Sequence, residues 1–201
     1  FVGPTHAGAI TEEDNRKAAA DRKVRKYNAR AYDAVPIRHW DRWLDELRPS
    51  LMVQPLDGAS AARDLLAGSA LRKERGFGGR LGNEGETLEA AWTPDGGGVV
   101  FAATTNRHEG ARTTVNISLW HVTLTGGEPR RLTGEEGDYS SPESTPDGAT
   151  LLAKVFLNKF AQESENYPRP VGSVCGTLVS GPAPGPPFLQ SPACRRLNRT
   201  R

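Results

Sequence analysis

The chain holds two cysteines and one methionine in 201 residues, and aromatic side chains make up 7% of it. Cys175 and Cys194 alone can build neither a disulfide framework nor a four-ligand zinc site. No apolar run approaches the ~20 residues that span a bilayer, so no membrane span is expected. Charge of one sign is also missing. The net charge is +2, and basic residues are interleaved with acids except at Arg195, Arg196, Arg199 and Arg201, so nucleic acid is not an expected partner. Motifs for covalent or metal chemistry are equally scarce. A nucleophile elbow needs Gly-x-Ser-x-Gly to permit its strained turn, and Gly172-Ser173-Val174-Cys175-Gly176 falls one residue short before the serine. His108-Glu109 lacks the second histidine four positions on that a zinc-protease helix requires. Catalytic residues, metal ligands and cofactors are therefore all expected to be none, and the compartment, cytoplasmic or periplasmic/secreted, stays open.

What the chain has in excess is turn chemistry. Gly 22 and Pro 15 together reach roughly 18%, against about 12% in an average protein. One helix is expected from Thr11 to about Lys26, with Thr11 as N-cap, Glu12, Glu13 and Asp14 in the first turn, and Ala18 to Ala20 as strong formers. Its apolar face is poor, which makes it a solvated connector.

After Pro36, short apolar runs recur in a fixed order. LMVQPLDG (51–58) matches LWHVTLTG (119–126), and each leads to a basic strand end, RDLLAG and RRLTG. TPDG occurs at 93–96 and again at 145–148, followed by VVFAAT after two residues and by TLLAKV after one. A single insertion between about Leu66 and Ala90 reconciles the two repeat offsets. That glycine- and charge-rich stretch has no periodic apolar face and reads as a loop, expected to be mobile near Leu71 to Glu86. Pro-Asp-Gly joins antiparallel strands tightly: Pro presets φ, Asp bonds its own backbone and Gly accepts positive φ. The strand at 99–104 is apolar on both faces, as a strand between two stacked sheets must be. Four short strands per repeat of about 40–50 residues is a propeller signature.

The pattern W-T-P-D-G, L-W-H-V and G-G-E-P-R-R-L-T resembles the N-terminal propeller of the prolyl oligopeptidase family of serine peptidases, nearest its dipeptidyl-peptidase and acylaminoacyl-peptidase branch. ARAYDAVPIRHWDRW (29–43) is similar to a tyrosine-and-R-H-W-D-x-W strand of that branch, and the likeness runs to about Val155. The resemblance implies an all-β chain: a partial β-propeller of about three incomplete blades at 29–156, a helical connector at 1–28, and a Pro/Gly-rich, disordered tail at 157–201 that departs from the family. It implies a propeller that gates a peptide substrate for an α/β-hydrolase domain missing from this chain. The alternatives are a non-catalytic TolB-like propeller that binds proteins and an inactive truncated product. His39, Trp40, Asp41 and Trp43 are the candidate substrate-binding residues, through stacking and charge. The competing reading of these tryptophans, and of Trp92 and Trp120, is core or blade-interface packing.

Overall fold

The computed structural model of the chain describes residues 2–6, 8–27, 29, 32, 38–39, 41–44, 47–58, 60–82, 85–134, 137–145, 147, 150–157 and 174–179. In chain order the elements are β1 (Val2–His6), α1 (Glu12–Lys23), the hairpin β2 (Arg38–His39) and β3 (Arg42–Trp43), β4 (Leu47–Val53) and β5 (Arg63–Asp64). Next come α2 (Ala70–Lys73), the hairpin β6 (Arg80–Gly82) and β7 (Gly85–Thr87), β8 (Ala90–Trp92) and β9 (Gly98–Ala103). A short 3-10 helix (Arg107–Glu109) then leads to β10 (Ser118–Thr123), β11 (Arg130–Arg131), β12 (Gly137–Ser144), β13 (Thr150–Leu157) and β14 (Val174–Val179). The chain is all-β in character. Its larger sheets are β1-β4-β5, β11-β10-β9-β8 and β12-β13-β14, every strand pair is antiparallel, and no sheet closes among the described residues.

The helix forms where capping chemistry places it. The Thr11 hydroxyl accepts from the Asp14 N–H at 3.1 Å, the Asp14 carboxylate accepts from the Thr11 N–H at 2.9 Å, and no residue of α1 is buried. The expected connector at 1–28 nevertheless needs correction. β1 pairs residue by residue with β4, from Val2 opposite Leu51 to His6 opposite Leu47. Residues 7–46 are thus an insertion between two neighbouring strands. Val-Gly-Pro-Thr-His lacks apolar alternation and carries a proline, a residue that weakens the sequence signal for a strand.

β9 carries the core. All six of its residues are buried; Val99, Phe101 and Ala103 enter one apolar cluster, while Val100 and Ala102 enter another. The first cluster joins Leu51 on β4, Leu65, Leu66, Leu71, Phe77 and Leu88; the second joins Leu119, Tyr139, Leu151, Ala153 and Val155. Period-2 alternation sends successive side chains to opposite faces, so the central sheet is packed against the first sheet on one face and the third on the other.

The stretch between Leu66 and Ala90 is not the loop its composition suggests. Leu71 and Phe77 are buried in the first cluster, and the Glu128 carboxylate accepts from the N–H groups of Ala70 at 2.7 Å and Leu71 at 3.1 Å. A fully buried phenylalanine contributes roughly 1.5–3 kcal/mol, and tertiary burial of this kind leaves no periodic trace in sequence.

The threonines that open the two TPDG turns are hydrogen-bonded alike. Thr93 Oγ1 donates to Asp95 at 2.6 Å and accepts from the Gly98 N–H at 2.9 Å; Thr145 Oγ1 donates to Asp147 at 2.5 Å and accepts from the Thr150 N–H at 3.1 Å. Gly96 takes the positive φ of +67° that the turn demands. In the stretch expected to be disordered, Val174–Val179 forms β14 and pairs along β13, from Val174 opposite Val155 to Val179 opposite Thr150. The rest of 158–201 lies outside the described residues.

Candidate functional site

The tryptophan-rich segment folds as the small hairpin β2–β3, with Arg38 opposite Trp43 and His39 opposite Arg42. Asp41 sits exposed in its turn, His39 is half-buried, and Trp40 lies outside the described residues. Trp43 is 50% exposed, which corrects the core-packing reading for that residue. Its ring stacks on Tyr32 at 6.1 Å between centroids, and the Arg38 guanidinium carbon lies 6.0 Å from it. The hairpin presents an aromatic and cationic surface. Trp92 is also half-exposed, beside an apolar gap lined by Leu51, Leu88 and Val99, whereas Trp120 packs on the first core cluster and donates to the Ala103 carbonyl at 3.2 Å.

A second site has no counterpart among the residues singled out from sequence. Gly76-Phe77-Gly78-Gly79 runs against the segment after β9, and a Cβ at Gly76, Gly78 or Gly79 would collide with Thr105 or His108, with Glu86 or Arg107, and with Thr87 respectively. At Gly76 and Gly79 the crowding atoms are backbone, so close backbone approach requires glycine there; at Gly78 they are the ends of the Glu86 and Arg107 side chains. The close approach lets Arg107 form a buried ion pair with Glu86, whose carboxylate also accepts from the Gly79 N–H at 2.7 Å. Arg48 donates to the Phe77 carbonyl at 3.1 Å on the same side. Next to this pair, Arg80 reaches Glu89 at 3.4 Å and Asp138 at 3.3 Å, linking β6, the residue before β8, and β12.

Burial dominates the electrostatics here. It pushes the Glu86 carboxyl above its ordinary value against the pull of Arg107 and the Gly79 amide. The same cause raises Asp138, with Arg80 opposing, and burial lowers Arg107. Beside these groups opens a cavity of about 380 Å³. Arg80, Arg107 and Asp138 form its charged wall, and Leu81, Val115 and Ile117 its apolar one. The sequence signal was the glycine run GFGGR. Read alone, such a run means a loop, because the partners that crowd it lie up to 32 positions away.

His121 sits on β10, against Gly98 at the end of the first TPDG turn. Burial and then Arg130 push it below the ordinary histidine value, and Asp95 pulls the other way. Its surroundings are those of a strand histidine packed on a hairpin. Among the described residues no group of three or more His, Cys, Asp or Glu side chains is arranged to hold a metal ion, and no helix is long and apolar enough to cross a membrane. No protein-family model and no curated protein sequence matches the chain.

Proposed function

We propose that this chain is part of the substrate-gating β-propeller of a serine exopeptidase of the prolyl oligopeptidase type. The observation that carries the reading is the central sheet: four antiparallel strands in simple succession, with both faces of β9 covered by sheets on either side. Blades of a propeller are covered in this way. The two TPDG turns, bonded alike and leading into β9 and β13, support the repeat, and the resemblance of the segment around RHWDRW supports the peptidase branch. In this role the chain supplies walls and surfaces, with the hairpin around Trp43 as a peptide contact, while a hydrolase domain supplies the nucleophile.

A fluorophosphonate probe applied to the source cells tests the reading. Labelled serine hydrolases are captured and their peptides sequenced, and the full reading frame around this segment is determined. Peptides of this chain in a labelled polypeptide that also bears Gly-x-Ser-x-Gly are the expected result. A reading frame holding only further propeller repeats, with the chain always unlabelled, would instead favour a non-catalytic protein-binding propeller.

A further inference from the structure

We propose that the 380 Å³ cavity beside Arg80, Arg107 and Asp138 is a binding site for a small apolar zwitterion, a free aliphatic amino acid or a dipeptide. The site stands independently of the peptidase reading. Its size falls in the range of small-molecule pockets, about 300–1,000 Å³. Its walls pair opposite charges with aliphatic surface, the arrangement that a molecule with an ammonium, a carboxylate and a hydrocarbon side chain complements.

The charge balance selects among ligands. Arg48, Arg80 and Arg107 are matched by Glu86, Glu89 and Asp138. A ligand of net charge would leave one charge uncompensated in a partly dry site, whereas a zwitterion leaves the balance at zero. The guanidinium of Arg107 has five N–H donors, and among the described residues Glu86 is its one side-chain acceptor. It is therefore the carboxylate anchor. Its side chain is 10% exposed, so it is held in place before a ligand arrives. Asp138, the carboxylate in the cavity wall, keeps 24% side-chain exposure and is the ammonium anchor. Leu81, Val115 and Ile117 receive the aliphatic group.

Calorimetry and amide chemical shifts on the purified full chain test this with four probes: L-leucine, Leu-Ala dipeptide, L-leucinamide and N-acetyl-L-leucine. Leucine or the dipeptide should bind in the millimolar range or tighter, and blocking either charge should weaken binding about tenfold or more. D138N should weaken leucine while leaving N-acetyl-leucine, which has no ammonium, unchanged. R107K should weaken leucine and N-acetyl-leucine alike. Ala111 is an exposed lining residue that takes part in none of the ion pairs, and A111W, by placing an indole at the cavity rim, should abolish binding with its circular dichroism matching that of the parent chain. No binding of leucine or dipeptide, or equal binding of all four probes, overturns the proposal. So does a D138N chain that loses leucine and N-acetyl-leucine equally, and that arm remains decisive if A111W does not fold.

Discussion

The Glu89 carboxylate accepts a hydrogen bond from the backbone N–H of Ser141 at 2.5 Å, and the two residues stand 52 positions apart, the offset at which TPDG recurs. Each is the repeat counterpart of the other. Trp92 and Ser144 repeat the relation: the Ser144 hydroxyl donates to the Trp92 carbonyl at 2.6 Å across the same 52 positions. The repeat in sequence is thus also a contact in space, with β8 and β12 lying side by side as equivalent edges of adjacent sheets.

Ser141 has φ of 49° at a bulge in β12, a conformation that costs a non-glycine residue on the order of 1 kcal/mol. S141G should therefore raise the urea midpoint. E89A should lower stability by about 1–2 kcal/mol by removing both the acceptor of the Ser141 N–H and the Arg80 partner, and E89Q, which keeps an acceptor oxygen, should recover part of the loss. An S141G chain less stable than the parent would show that the bulge is not strained.

Phe77 is fully buried in the first core cluster, although its neighbours in sequence are glycines and charged residues. F77A is expected to cost about 3–5 kcal/mol. Denaturant unfolding measures it, and a loss below about 1 kcal/mol would return the 66–90 stretch to the status of a peripheral loop.

The hydroxyl of Thr93 serves its turn through three bonds, to Asp95, to the Gly98 carbonyl and from the Gly98 N–H. T93V keeps the shape and removes them, and should cost about 1–2 kcal/mol. T145V should cost a similar amount, since its turn has the same three bonds. Unequal losses would mean that the same three threonine bonds contribute differently in the two turns.

Burial raises the carboxyl of Asp138 above its ordinary value. Between the unfolded and the folded value the native state holds more protons than the unfolded state, so stability falls as pH rises through that window and levels off above it. Urea midpoints measured from about pH 4 to about pH 7 should show a shallower fall for D138N than for the parent chain. An identical pH profile would rule out this contribution.

On the proposed reading as the propeller part of a peptidase, aminoacyl, acylaminoacyl and dipeptidyl reporters should remain intact when incubated with this chain, because a propeller of that kind orients a substrate and does not supply the covalent step. Turnover that a fluorophosphonate abolishes would contradict this.

Local chemistry was legible without coordinates. Thr11 and Asp14 announce a capped helix because caps are satisfied within four residues, the TPDG turns are satisfied within six, and unbroken burial of Val99 to Ala103 reads directly as a strand covered on both sides. The all-β class follows from these. Other features depended on partners far along the chain. β1 is a strand because β4 lies 41 to 49 positions away to pair with it, and Phe77 is core because Leu51, Leu88 and Phe101 close over it. The cavity wall joins Arg80, Arg107 and Asp138 from three separate elements, where each alone reads as a solvated charge. Such groupings leave no periodicity in sequence, since burial and charge pairing act through space and are indifferent to separation along the chain.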